Sequence, residues 1–232
     1  MNALHLIRLP VHPPRLLRFA MEHGIAQEDE TLGYTLHAWL TALFGDQSPK
    51  PFRYLEPRNE VLAYSRLDAA SLLARAEEMG SLPALSALDA GGVVSKVMPT
   101  EWKTGKRLHL EALTCPVSRQ GDEEKDIYLR ALDQSGASAP TRAEVYQQWF
   151  IRQWQDVLHC DQVELLGMTA RSRLLRRARN GKNRLRTVER PQAWFGADVV
   201  ILDPKRFAEM LARGIGRHRA FGFGMVLLSP PQ

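Results

Sequence analysis

The chain has 232 residues, 44% of them hydrophobic, which suits one large core or two small ones and argues against a disordered chain. Its formal net charge of +5 is a modest excess, but the positive charge is unevenly distributed and favours a polyanionic partner. The cysteines, Cys115 and Cys160, show no CxxC spacing and give no basis for a disulfide framework or a zinc site. With no signal-peptide pattern and no apolar run near the length of a membrane span, we expect a soluble, cytoplasmic protein without a membrane partner.

The first half of the chain predicts the order β-α-β-β-α-β. Residues 2–9 alternate polar and apolar side chains and end at Pro10, as expected of a strand. From Thr31 to Leu43 apolar residues recur at helical spacing, and Gly45 closes the pattern. The following segments predict two short strands, a helix and two more strands: 52–56, 60–66, 68–79, 93–98 and 108–117. This is the order of a ferredoxin-like unit.

The second half predicts a similar order after a polar segment. Residues 119–140 contain mixed charges and glycines, so we predict a linker there between domains at 1–118 and 141–232. Thr141 and Glu144 have capping-box form and begin a helix rich in aromatic residues. Strands, a helix introduced by Asp203 and Pro204, and a last strand are then predicted at 162–173, 197–202, 203–212 and 223–228. The predicted fold class is α+β, with two tandem ferredoxin-like domains.

Residues 214–224, here called the glycine-rich loop, join that last helix to the last strand. Glycines allow close backbone approach to a ligand, and successive N–H groups and arginines can grip phosphates. A helix C-cap joined to a glycine-containing strand would explain the same residues. Nucleotide cofactor loops lie between a strand and the following helix, and Arg219 stands where a third fingerprint glycine would fall. We therefore expect no nucleotide cofactor.

The sequence of the loop and the next strand, GIGRHRAFGFGMVLL, resembles the glycine-rich signature of CRISPR-repeat endoribonucleases of the RAMP superfamily. The helix sequence YTLHAWL, continuing to Leu43 and Phe44, is similar to the YxLHxxLxxLF helix of the CasE branch, and PFRYL resembles that branch's next strand. These motifs lie in the expected order at the two ends of the chain. The resemblance implies two ferredoxin-like domains that bind a repeat hairpin, with the scissile phosphate near the first helix.

The resemblance also implies the catalytic residues. Tyr34 and His37 are three positions apart, so on a helix they share one face. His37 would be the general acid or base and Tyr34 its positioning or proton-transfer partner, with Arg15 and Arg18 as transition-state stabilisers. An imidazole with a reference pKa of about 6.5 suits 2′-hydroxyl attack on the adjacent phosphate, which gives a 2′,3′-cyclic phosphate and a 5′-hydroxyl without metal or cofactor. The alternative is that His37 has only a structural role and that an arginine or lysine performs the catalysis in its place.

A one-sided basic segment spans residues 171–190, with nine lysines or arginines and a single acid, Glu189. Its basic residues flank Asn180 and Gly181, which favour a turn, so the segment predicts a basic hairpin or helix end. Such an element suits the deep groove of an A-form RNA stem. A solvated charged loop would have the same composition. The predicted RNA-binding residues in this segment are Arg171, Arg173, Arg176, Arg177, Arg179, Lys182, Arg184 and Arg186. Those in the glycine-rich loop are Gly214, Gly216, Arg217, His218, Arg219, Gly222 and Gly224.

These features predict an endoribonuclease that binds the repeat stem-loop of precursor CRISPR RNA, cleaves it, and stays bound to the product beside other effector-complex subunits. Two alternatives remain open. One is a catalytically inactive subunit that only holds the 3′ hairpin of the CRISPR RNA, and the other is a generic RNA-binding protein of ferredoxin-like fold. Because the remaining histidines show no HExxH or HxxxH spacing, we predict no metal site.

Overall fold

A computed structural model describes residues 3–25, 29–135, 138, 140–177 and 185–231, except for the side chain of Arg177. The chain divides into two compact units. The first unit comprises residues 1–100, 173–188 and 219–222, and the second comprises residues 101–172, 189–218 and 223–232. Both the basic segment and the glycine-rich loop therefore contribute residues to each unit.

The described residues of the first unit form a four-stranded antiparallel sheet and four α-helices. In chain order they are β1 (His5–Pro10), α1 (Pro13–Glu22), α2 (Gly33–Phe44), β2 (Phe52–Leu55), β3 (Glu60–Ser65), α3 (Ala69–Met79), α4 (Leu82–Ser86) and β4 (Val94–Val97). The strand order is β2-β3-β1-β4, so the first strand is central and the fourth lies beside it at an edge. Ile7 and Leu9 of β1 and Val61 and Ala63 of β3 are completely buried, which follows the period of two expected for a sheet with one core face. This sheet and α2 enclose the core of the unit.

The part of the second unit that the structure describes forms a larger antiparallel sheet, a small hairpin and three α-helices. They are β5 (Arg107–Thr114), β6 (Val117–Gln120), β7 (Glu123–Asp126), α5 (Ile127–Ser135), α6 (Arg142–Gln153), β8 (Leu158–Arg177), β9 (Leu185–Ile201), α7 (Pro204–Arg213) and β10 (Val226–Ser229). The large sheet has the order β10-β5-β9-β8, and β6 and β7 form a separate two-stranded sheet. Counted within each unit, both four-stranded sheets have the order 4-1-3-2, so two tandem ferredoxin-like units are confirmed.

The predicted domain boundary needs correction. The strand predicted at 108–117 falls in the first of the two predicted domains, but β5 pairs along all eight residues with β9 and also pairs with β10. The first unit therefore takes β4 as its fourth strand, and its N-terminal part ends near residue 100. Residues 119–140 include β7 and α5 rather than a simple linker. Alternating apolar residues predict that a segment is a strand but do not identify its neighbours, which explains the error.

The basic segment occupies a long hairpin. Strands β8 and β9 are neighbours in the sheet and extend well beyond the two strands predicted at 162–173 and 197–202. Residues 178–184 lie outside the described residues. None of the helices within the described ranges is both long and apolar enough to cross a membrane.

Candidate functional site

Helix α2 begins against the glycine-rich loop. Its first residue, Gly33, is buried, and a Cβ atom there would lie 2.6 Å from the carbonyl oxygen of Phe221. Any other residue would displace the backbone of the loop, so glycine is required by this close approach. The N–H of Gly33 donates to the Thr31 hydroxyl at 3.3 Å, which satisfies one of the free amides at the start of the helix.

Tyr34 and His37 lie on one face of α2, as their spacing predicts, and both contact the ring of Phe221. The Tyr34 and Phe221 rings stack with centroids 6.2 Å apart, whereas His37 meets Phe221 edge-on at 5.6 Å. The centroids of Tyr34 and His37 are 6.3 Å apart. Tyr34 is 8% exposed and His37 is partly exposed, so the imidazole can meet a ligand from solvent while its ring stays fixed by aromatic packing.

Arg15 and Arg18, predicted as transition-state stabilisers, lie on α1 and have other partners. Arg15 donates to the carbonyl oxygen of Ser86 at 3.0 Å, and Arg18 pairs with Glu22 of its own helix at 2.9 Å. Both line a cavity of about 320 Å³ between α1 and α4. Arg15 therefore links α1 to α4, whereas Arg18 forms an exposed ion pair within α1.

The described arginines of the basic segment differ in exposure and partners. Arg171 is exposed and 3.8 Å from Glu189, and Arg186 is also exposed. Arg176 is half-buried. Arg173 is held by Glu30, which accepts hydrogen bonds from its backbone N–H at 2.9 Å and its Nε at 2.8 Å. Arg179, Lys182, Arg184 and the side chain of Arg177 lie outside the described residues.

The start of the glycine-rich loop is anchored by Glu124 of β7. This carboxylate accepts hydrogen bonds from Arg190 Nε and Arg217 Nε, each at 2.7 Å, and lies 2.8 Å from His218 Nε2. Only 6% of the Glu124 side chain is exposed. Burial raises the pKa of Glu124, but the hydrogen bonds and charges of His218, Arg190 and Arg217 outweigh it and hold the pKa far below its usual range. Glu124 is therefore ionised and fixes the loop by charge-assisted hydrogen bonds.

This anchor changes the interpretation of His218, which was predicted to bind RNA. Its side chain is only 4% exposed and is bound to Glu124, so the imidazole serves the anchor, and RNA binding by His218 stays a prediction that would involve its backbone. Arg217 is 40% exposed, although its Nε is bound to the same carboxylate. Sequence reasoning missed Glu124 because the acid lies 93 and 94 positions before its two loop partners.

Contacts within the protein also explain several glycines of the loop. At Gly224, where φ is +74°, a Cβ atom would lie 2.0 Å from the carbonyl oxygen of Ile215, so only glycine fits. Gly214 ends α7, Gly216 lies against Trp149 and Gly222 against Phe52. These contacts favour the alternative of a helix C-cap joined to a strand. Arg219 and Phe221 are the end residues of a short 3₁₀ helix, Arg219–Phe221.

Comparison with known proteins identifies the family. The sequence profile of a family described as CRISPR associated protein matches residues 4–230. The chain belongs to this family. No curated protein sequence matches this CRISPR-associated protein.

Solved structures show the same fold. A CRISPR endoribonuclease Cse3 bound to RNA is 17% identical, with a TM-score of 0.64 over 98% of this chain and 100% of its own. Cas6e from Escherichia coli K-12 is 14% identical, with a TM-score of 0.54 and the same coverage. A chain of a CRISPR RNA-guided surveillance complex is 18% identical, with a TM-score of 0.54, again over 98% and 100% of the two chains. At such identities the likeness establishes the fold of this CRISPR-associated protein.

One residue of the site gave no sequence signal of its own. Phe221, which contacts both candidate catalytic side chains, is one of several apolar residues in the loop. Among the described residues of this CRISPR-associated protein, no three His, Cys, Asp or Glu side chains come together as metal ligands.

Proposed function

We propose that this chain is an endoribonuclease that binds the repeat stem-loop of precursor CRISPR RNA and cleaves it without a metal ion. The observation that carries the proposal is the contact of Tyr34 and His37 with Phe221, which joins both motifs of the CasE resemblance in one site. Membership of the CRISPR-associated family supports it. So does the structural likeness to a CRISPR endoribonuclease bound to RNA.

In this proposal His37 exchanges the proton that the reaction must move. A base removes the proton of the 2′-hydroxyl, the 2′-oxygen attacks the adjacent phosphorus, and the 5′-oxygen leaves and takes up a proton. The products are a 2′,3′-cyclic phosphate and a 5′-hydroxyl. An imidazole near neutrality can act as either the base or the acid of this sequence. Tyr34 orients His37 or the phosphate. Arg15 and Arg18 would stabilise the transition state, as the resemblance implies, through N–H groups other than those bonded to Ser86 and Glu22.

The basic hairpin formed by β8 and β9 supplies the affinity for RNA. Double-stranded RNA has a deep, phosphate-lined groove that proteins recognise mainly by shape and backbone contacts, and a dense run of arginines suits such a surface. We assign phosphate contacts to seven residues: Arg171, Arg176, Arg177, Arg179, Lys182, Arg184 and Arg186. Arg219 and the exposed part of Arg217 would add contacts from the glycine-rich loop.

We further propose that the protein works in the cytoplasm and keeps its cleaved RNA as a subunit of an effector complex. A structural relative described as part of a CRISPR RNA-guided surveillance complex supports this assignment. The partners would then be the 3′ hairpin of the CRISPR RNA and other subunits of the complex.

The test is cleavage of the repeat RNA in excess EDTA, with a substrate carrying a single 2′-deoxy substitution at the cut site as control. We expect cleavage of the unmodified RNA, no cleavage of the deoxy substrate, and a cyclic phosphate on the 5′ product. Tight binding without cleavage would favour the inactive subunit that only holds the hairpin. Cleavage that requires added metal would contradict metal independence, and equal affinity for unrelated RNAs would favour a generic RNA-binding protein.

A further inference from the structure

Two acidic residues that precede α2 connect this helix to the basic hairpin. Asp29 is 5% exposed, and its Oδ2 accepts the N–H of Thr35, in the first turn of α2, at 2.8 Å. Burial raises the pKa of Asp29, while backbone N–H groups including those of Thr35, Tyr34 and Leu175 partly offset the rise. Asp29 is followed directly by Glu30, so the hydrogen bond that holds Asp29 at the start of α2 also positions the next carboxylate.

Glu30 makes the second connection. Its two carboxylate oxygens accept hydrogen bonds from the backbone N–H and the Nε of the same residue, Arg173. These hydrogen bonds lower the pKa of Glu30. A main-chain and a side-chain donor together fix both the position of the strand and the direction of the guanidinium. Two residues further along β8, the Leu175 side chain is 2% exposed within the core of the first unit.

We infer that Asp29 and Glu30 form a clamp that fixes the basic hairpin to the N-terminus of α2, and that Arg173 is a positioning residue of this clamp rather than a phosphate ligand. This inference rests on the proposed function. Arg173 was predicted to bind RNA from the charge of its segment. A phosphate approaching its Nε would meet the Glu30 carboxylate already bound there at 2.8 Å, and the two anions would repel each other.

The clamp has a catalytic consequence because the two elements carry different functions. The hairpin holds the RNA backbone, while Tyr34 and His37 lie in the first turns of α2. The clamp therefore sets the distance between the bound phosphates and the imidazole. A misplacement of about 1 Å in such a geometry can slow a reaction about 100-fold. Loss of the clamp should lower the cleavage rate of bound RNA more than it lowers affinity.

The test measures single-turnover cleavage at saturating repeat RNA, and the salt dependence of affinity, for Glu30→Gln, Arg173→Gln and the double variant. We expect each single variant to cleave roughly tenfold more slowly, which is less than the roughly 100-fold loss that a misplacement of about 1 Å can cause. The double variant should be no slower than the slower single one, because both changes break one interaction. The matched control is Glu189→Gln, which removes another exposed glutamate paired with an arginine of β8, Arg171. It should leave the rate unchanged.

The salt dependence separates the two roles of Arg173. Removal of a cation that neutralises a phosphate lowers the slope of log affinity against log salt by about 0.7 to 0.9, whereas removal of a positioning residue leaves that slope unchanged. A lower slope with a normal rate at saturation would overturn the inference, as would additive losses in the double variant.

Hydrogen exchange of the α2 amides provides a readout that does not depend on cleavage. RNA binding should slow exchange in the first turn of α2 in the wild type but not in Glu30→Gln. If the wild type does not cleave but shows this clamp-dependent protection, the proposed function fails and the clamp stands. If the wild type cleaves and the variants behave like it in both assays, the clamp fails and the proposed function stands.

Discussion

The first long helix of each unit's β-α-β-β-α-β order carries a tyrosine followed three residues later by another ring. In α2 the pair is Tyr34 and His37, and in α6 it is Tyr146 and Trp149. At least one ring of each pair meets the glycine-rich loop within its own unit. The rings of α2 contact Phe221, and Trp149 lies against Gly216, where a Cβ atom would be 3.1 Å from its ring.

The surroundings of the two pairs differ sharply. Tyr146 is completely buried, donates to Asp126 at 2.9 Å and accepts a hydrogen bond from Arg142 at 2.7 Å. Burial, followed by the charge of Asp126, raises its pKa. Trp149 is 7% exposed and has no group that exchanges protons near neutrality, whereas His37 is a partly exposed imidazole. A similarly spaced pair thus supports packing in one unit and presents a partly exposed imidazole in the other, because side-chain identity and exposure decide function.

The largest effect is expected for His37→Ala. Removal of a proton-transfer group should lower the single-turnover cleavage rate about 10²- to 10⁴-fold, with RNA affinity and the unfolding midpoint nearly unchanged. The control is His159→Ala, which removes a histidine with 65% of its side chain exposed in the second unit. Near-normal cleavage by His37→Ala would show that the ring pair of α2, like that of α6, serves packing and not catalysis.

Glu124→Gln tests a residue of the second unit that stabilises the fold and takes no part in catalysis. Loss of the buried charge leaves Arg190, Arg217 and His218 without their anionic partner, and breaking such a network costs about 3 to 5 kcal/mol. Chemical denaturation at pH 7 measures this loss. The control is Glu123→Gln on the same strand, because 66% of that side chain is exposed and its pair with Arg130 is 3.5 Å long. It should cost less than about 1 kcal/mol.

The pH dependence of this loss follows from the sign of the pKa shift. Folding lowers the pKa of Glu124, so its contribution to stability is fully present above the ordinary value of 4.5 and declines as the pH falls below that value. The difference in unfolding free energy between wild type and Glu124→Gln should therefore shrink from pH 6 to pH 3. A constant difference over this range would contradict the assignment of Glu124 as an ionised anchor.

Local patterns were sufficient to predict most helices and the fold class. The helical period of α2 and the capping box of Thr141 and Glu144 both appear in the structure as predicted. Helix α1 was missed because the predicted strand ended at Pro10 and two prolines follow His12, although proline is compatible with the first turn of a helix. The partners of β5 were also missed, since its alternation suits either sheet.

The candidate site was predictable where its residues are close in sequence and not elsewhere. The spacing of Tyr34 and His37 places them on one helix face whatever the tertiary structure. The pairing of Arg173 with Glu30 and of Arg217 with Glu124 depends on how distant segments meet. Net charge along the sequence therefore does not show which cations pair with acids far away in the chain.

A smaller effect is expected when four cations of the basic hairpin, Arg176, Arg177, Lys182 and Arg184, are changed to glutamine. The slope of log affinity against log salt should fall by about 0.7 to 0.9 for each phosphate that the hairpin no longer neutralises, while the rate at saturating RNA stays near that of the wild type. Titrations at several salt concentrations measure this. If affinity is unchanged, the hairpin does not bind phosphates, and another surface of the protein must bind the RNA.

The smallest effect should come from removing a single hydroxyl from each helix. In Tyr34→Phe the ring still stacks on Phe221, so stability should be unchanged, and loss of one oriented hydrogen bond should slow cleavage roughly threefold to tenfold. Tyr146→Phe should instead lose about 1 to 3 kcal/mol of stability, because buried Asp126 loses a donor, and should cleave at the wild-type rate once folded. Thermal unfolding and single-turnover assays on both variants compare the helices directly. Two variants that lose only stability would assign both tyrosines to packing and leave His37 as the sole difference in chemistry between α2 and α6.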